Sequence, residues 1–144
     1  MAFTKKEQRT MSDREQLLQQ AREVATHAHA PYSHFRVGAA LKADDSIFTG
    51  ANIEISSYGL SLCAERSALS AAISAGAQSI TQIAVACIDA RPEAGLQERV
   101  PCGACRQWIA DLAPEAIIYI DGVERDFHLD DLLPNAFGLE RRED

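Results

Sequence analysis

The sequence predicts an α/β protein in which a sheet lies between layers of helices. Three observations carry that expectation. Helix and strand patterns follow one another in the order α-β-β-α-β-α-β, which argues for a three-layer sheet architecture over a bundle or a sandwich. The segment TQIAVACID holds an unbroken apolar run from Ile83 to Ile88, the pattern of a strand covered on both faces. At 144 residues, without internal repeat or linker, the chain has the length of a single domain spanning 1–144. A chain of that size buries roughly 68–70% of its unfolded surface and needs no staple.

Residues 1–11 read as a flexible leader and 139–144 as a polar tail. The first helix, over 13–28, opens with Ser12 as cap and Glu15 three residues later, a capping-box signature. Leu17, Leu18, Ala21, Val24, Ala25 and Ala28 form its apolar stripe. His27 and His29 near its end have no partner at metal-ligand spacing and read as surface histidines. Pro31 stops the helix, and FRVGAALKA (35–43) and IFTGANIEI (47–55) form a hairpin turned by DDS. SLCAERSALSAAISAGA (61–77) is a small-residue helix suited to close packing, with Gly76 as its stop signal. A strand over 81–89 follows, then a polar loop, a helix over 103–112, a strand over 116–121, a turn at Asp121-Gly122 and a short amphipathic end.

Charge and hydropathy exclude several functions. The net charge is −7, with 21 acidic against 14 basic residues and no basic stripe, so polymeric nucleic acid is an unsuitable partner. No apolar run approaches the ~18 residues of a membrane span. The polar N-terminus lacks the apolar centre of a signal peptide, and a cytoplasmic location is expected. Cysteines stay reduced there, which disfavours a structural disulfide.

The four cysteines carry the chemistry. Cys87 lies within the apolar strand and reads as a small buried hydrophobe. Cys63, Cys102 and Cys105 all sit at helix starts, where the positive end of the dipole favours a thiolate. Two such helix ends meeting over one sheet edge would gather three thiolates around zinc and leave a fourth tetrahedral position open, the mark of a catalytic metal. Three thiolates leave the metal with a net negative charge, and Arg66 and Arg106, each directly after a key residue, are the candidates to donate to sulfur and draw it off. Glu65, two residues after Cys63, is placed to move a proton beside such a metal. Solvated arginines and a first-turn helix acid are the plainer readings of these residues.

With PYSHFRVGAAL (31–41), TGANIE (49–54), SYGLSLCAERSAL (57–69) and PCGACRQ (101–107), the chain resembles the small homotetrameric cytidine deaminases from about residue 15 to Phe137. The resemblance implies a three-layer α-β-α sandwich with a central mixed five-stranded sheet. It implies one Zn²⁺ per subunit on Cys63, Cys102 and Cys105, and deamination of cytidine and deoxycytidine in pyrimidine salvage. Glu65 would carry a proton to the pyrimidine N3 and then to the departing amine. The Ala64 backbone N–H would face the ring carbonyl, Asn52 and Glu54 would hold the ribose hydroxyls, and Phe35 would wall the base. By the same resemblance the enzyme is a homotetramer with shared sites, Tyr58 and Phe137 reaching into a neighbour's pocket. Ile55 stands where the family usually has asparagine, and Trp108 is bulkier than the expected aliphatic residue, which should alter packing behind the zinc.

Two other classes compete. A thiol redox protein would use Cys102 and Cys105 as a dithiol, but leaves Cys63, Glu65, Asn52 and Glu54 unexplained. A structural zinc module wants a fourth protein ligand, for which the candidates are Cys87, within the apolar strand, and histidines without a partner. Among deaminases, an enzyme for a modified cytosine nucleoside of the blasticidin type is the nearest alternative.

Overall fold

The computed structural model describes residues 10–142. Most of the expected leader, residues 1–9, and the last two residues of the expected tail lie outside them. Helix α1 spans Asp13–Ala25, strands β1 and β2 Val37–Ala43 and Ser46–Ala51, helix α2 Ala64–Ser74, strand β3 Ile80–Cys87, helix α3 Gly103–Leu112, strand β4 Ile117–Ile120 and the short helix α4 Leu129–Leu132. Single 3-10 turns cover Tyr58–Leu60 and Leu96–Glu98. The strands lie in the order β2-β1-β3-β4, with β4 parallel to β3 and the other pairings antiparallel.

The alternation of side chains along the strands builds the three layers. Ala40, Ala84 and Ala86 point to one face and meet Leu17, Leu18 and Ala21 of α1. Ala39, Leu41, Ile83 and Val85 point to the other face, where Ala68, Leu69 and Ile109 of α2 and α3 cover them. Small residues on the α1 side let that helix approach the backbone itself. A Cβ on Gly38 would stand 1.9 Å from the Ala21 carbonyl oxygen, so only glycine fits there.

The helix ends follow local chemistry. Ser12 Oγ accepts from the Glu15 N–H at 3.1 Å, as the cap signature predicts. The first helix stops at Ala25, three residues before the expected end. Thr26 turns its hydroxyl back onto the Glu23 carbonyl, and the next N–H groups make tighter i−3 bonds. Helix α2 begins at Ala64, with Cys63 as its N-cap in extended conformation. Gly76, at φ +84°, ends it as expected. The N–H of Gly76 bonds Ile73 O and that of Ala77 bonds Ala72 O, a complete Schellman motif.

The sheet has four strands among the described residues, where the family resemblance implied five. The fifth position is reduced to one bridge, in which Phe127 and Ile118 exchange hydrogen bonds of 2.8 and 2.9 Å. His128 immediately caps α4, with Asp131 bonded back to its N–H, and the chain leaves the sheet edge there.

Candidate active site

Two helix starts converge on one point. Cys63 is the N-cap of α2, Cys102 the N-cap of α3, and Cys105 sits in the first turn of α3. Neither cap residue spends its side chain on the helix N–H groups, so both sulfurs are free to face each other. The Cys63 and Cys102 sulfurs are 3.7 Å apart and those of Cys102 and Cys105 3.5 Å. All three lie within 4.8 Å of one another. Sulfurs 2.3 Å from a tetrahedral zinc stand about 3.8 Å apart, so the donor set and its spacing fit that ion.

The site has a built-in charge pattern. A hydrogen bond from the Cys105 thiol, with Arg66 beside it, pulls the Cys63 thiol down to about 5. The same bond and burial push Cys105 the other way. Without metal the cluster therefore holds a thiolate on Cys63 and a thiol on Cys105, and metal binding must release protons. Arg66 Nη2 donates to Cys63 Sγ at 3.3 Å, while its buried Nε has no protein partner among the described residues. The contact matches the sequence expectation for this arginine.

Arg106 departs from that expectation. Its Nε donates to the Pro101 carbonyl at 2.8 Å and its Nη1 to the Leu132 carbonyl at 2.5 Å. Leu132 ends α4, and its carbonyl is one of the orphan acceptors of a helix C-terminus, so the guanidinium is drawn there and ties α4 to α3. Trp108 also departs: it lies 37% exposed in a groove with Ile73 and Leu112, on the outer side of α3.

Glu65 is in the first turn of α2 and only 4% exposed. Burial raises its carboxyl pKa, opposed by a hydrogen bond with Cys105 and reinforced by the charge on Cys63. Such a carboxyl holds a proton more readily than one in water.

A cavity of about 430 Å³ joins these groups to the hairpin and the loop before it. Glu65, Ala64, Cys63 and Cys102 line it together with Phe35, Asn52, Glu54 and Tyr58. Ala64 is the first residue of α2, where backbone N–H groups lack intrahelical partners. Asn52 braces the cavity wall, its Oδ1 accepting from Val37 N–H at 2.8 Å and its Nδ2 donating to Phe35 O at 2.9 Å. Glu54 is 5% exposed yet keeps its carboxyl below the usual range, chiefly through the Ser33 hydroxyl. The Tyr58 hydroxyl donates to Glu54 of its own chain at 3.1 Å. Phe137, 70% exposed, does not line this cavity.

Among the lining residues not singled out from the sequence are Ser33, Val85 and Val100. Ser33 left one signal, a serine two residues before Phe35, suited to a turn in which its oxygen takes the Phe35 N–H. That bond is present at 3.0 Å. Cys87 is half-buried and lines the cavity, its thiol directed to the Arg99 carbonyl at 3.9 Å. The apolar run suggested a fully covered position, but the strand ends at this residue.

Residues 11–121 match the family described as the cytidine and deoxycytidylate deaminase zinc-binding region. A cytidine deaminase of Halalkalibacterium halodurans is 42% identical over 137 residues, covering 92% of this chain and 99% of that protein. The crystal structure of a cytidine deaminase from Burkholderia pseudomallei aligns with TM-score 0.76 at 40% identity, over 88% of this chain and all of that one. One from Mycobacterium tuberculosis aligns with TM-score 0.74 at 37% identity, over 90% of this chain and all of its own.

Proposed function

The chain belongs to the cytidine and deoxycytidylate deaminase family, and from that premise we propose that it catalyses the zinc-dependent hydrolysis of cytidine to uridine and ammonia. The observation that carries this reading is a buried carboxyl, Glu65, two residues from a three-thiol cluster and in one cavity with Asn52 and Glu54. Deoxycytidine is proposed as a second substrate.

In this reading Cys63, Cys102 and Cys105 hold the metal. Zinc, when bound, supplies a Lewis-acidic position that makes water a nucleophile at neutral pH. Glu65 takes a proton from the attacking water and delivers it to the pyrimidine N3. After oxygen has added at C4, the same carboxyl passes a proton to the amino group, which leaves as ammonia. A raised pKa suits both halves of that task, since the group must accept a proton and then release it. The Ala64 N–H faces the ring carbonyl, Phe35 walls the base, and Asn52 and Glu54 receive the sugar. An ionised Glu54 accepts hydroxyl hydrogens and repels a nearby phosphate, which favours a nucleoside over a nucleotide.

A homotetramer with shared sites is part of the proposal. Ile53, Ile55, Tyr58 and Leu60 lie close in sequence on the segment that borders the cavity, each at least 42% exposed, an apolar surface suited to burial against a second copy. A cytoplasmic location accords with a site that needs three reduced cysteines. No helix among the described residues is long and apolar enough to cross a membrane.

The test is turnover of cytidine by the purified zinc-loaded protein, followed by ultraviolet absorbance, with Glu65→Ala as control. Loss of a proton carrier is expected to lower kcat by about 10²–10⁴-fold. No turnover by wild type, or full turnover by Glu65→Ala, refutes the reading.

A further inference from the structure

Glu54 is unusual among the cavity residues in having every acceptor position filled. A carboxylate offers about four lone-pair sites. Oε1 accepts from the backbone N–H groups of Tyr32 and Ser33, each at 3.1 Å. Oε2 accepts from the Ser33 hydroxyl at 2.5 Å and from the Tyr58 hydroxyl at 3.1 Å. Ser33 thus supplies two of the four donors. Its own oxygen accepts the Phe35 N–H, which fixes the hydroxyl and leaves its single hydrogen directed at Glu54.

We propose that Ser33 is a positioning and specificity-determining residue for the reaction: it pins the Glu54 carboxylate in the one orientation that can receive a sugar hydroxyl and ties that carboxylate to the Phe35 backbone. The inference rests on the reading of the cavity as a cytidine site. The four donors are not held alike. Two are backbone groups of a turn wrapped around the carboxylate, and the Ser33 hydroxyl is the shortest of the bonds. Tyr58 sits on a separate 3-10 turn, outside the turn that wraps the carboxylate, and its bond is the one an incoming hydroxyl can replace. A sugar hydroxyl therefore enters by exchanging with a phenol, while Ser33 keeps the acceptor from rotating. The pair reads the hydroxyls of the sugar, and a sugar without them gains nothing from it.

The test compares cytidine with 2′,3′-dideoxycytidine in wild type, Ser33→Ala and Ser33→Thr, all zinc-loaded. Zinc content and melting temperature establish that each variant is folded. Ser33→Ala is expected to raise KM for cytidine about tenfold or more, the scale of one charge-assisted hydrogen bond, with kcat changed less than about threefold. The ratio of kcat/KM for cytidine to that for the dideoxynucleoside is expected to fall by the same factor, and Ser33→Thr, which keeps the hydroxyl, to restore it. A merely structural role penalises both substrates equally and leaves the ratio unchanged. An unchanged ratio in a folded, turning-over Ser33→Ala variant overturns the inference, as does a threonine variant that stays low. Absence of cytidine turnover by wild type is a separate failure, that of the assignment of the reaction.

Discussion

Replacing Gly50 by alanine should damage the metal site from a distance. Gly50 lies buried on β2 beneath α2, and its φ lies outside the left-handed region, so the requirement for glycine is one of space alone. An added Cβ would stand 2.4 Å from Ala68 N, 2.7 Å from Ser67 Cβ and 2.8 Å from Ser67 C. Contacts of that kind need about 3.0–3.4 Å, so the helix must withdraw by about 0.6–1 Å. The helix moves as a unit and takes Cys63 and Glu65 with it, whereas Cys102 and Cys105 stay with α3. Metal–ligand distances tolerate only about ±0.2 Å. Zinc affinity should fall about 10–100-fold, and turnover about a hundredfold from misplacement of the proton carrier. Overpacking should cost about 1–3 kcal/mol, lowering Tm by roughly 3–10 °C. Competition with a chromogenic chelator, the cytidine assay and a thermal melt read the three effects. A Gly50→Ala protein with wild-type zinc affinity, turnover within about twofold and an unshifted melt would refute the idea that α2 rests directly on this residue.

Two further outcomes follow from the electrostatics. In chelator-treated protein at pH 7, iodoacetamide should label Cys63 first, because its thiol is held at about 5, and Cys87 more than about a hundredfold more slowly, because burial raises that thiol to about 12; peptide mass spectrometry reads the order, and equal labelling of the two would contradict it. Asp89 is held at about 2 by Arg36, which donates to it from Nε at 2.8 Å and Nη2 at 2.9 Å. A depressed carboxyl stabilises the fold above its unfolded value near 3.8 and loses that contribution as pH falls towards 2. The pair is partly exposed, so Asp89→Asn should cost only about 0.5–1 kcal/mol at pH 6, and the difference from wild type in urea unfolding should shrink between pH 4 and pH 2.

What the sequence disclosed was what local chemistry decides. Helix α3 runs from 103 to 112 as expected, because Pro101 and Cys102 mark its start and its apolar stripe marks its length. Cys63, Cys102 and Cys105 were legible for the same reason, each being at a helix start whose dipole has a chemical consequence. Arg66 was legible from its place directly after Glu65, at the start of the helix that Cys63 caps. Arg106 was not, since its acceptors belong to a helix end 26 residues away that no local pattern places beside it. Trp108 went astray because the face it occupies depends on how α3 rolls against the sheet. The missing fifth strand has a similar origin: one exchanged pair at Phe127 satisfies the β4 edge locally, and the cap at His128 then competes with further pairing. Ser33 was hidden among residues that only the folded loop brings to Glu54.

The placing of the three thiols on two helices also bears on how the chain folds. Cys63 and Cys102 are 39 residues apart, and the whole of α2, β3 and the loop beyond them lie between. An ion that joins them closes a ring of that length, as a disulfide would, but one that forms and breaks with pH and metal supply. In chain-entropy terms such a closure removes about 4 kcal/mol of freedom from the unfolded ensemble if the ion remains bound there, and if it does not, its whole binding energy favours the native state. Either way, cellular zinc becomes a determinant of how long this chain survives unfolding as well as of how fast it turns over.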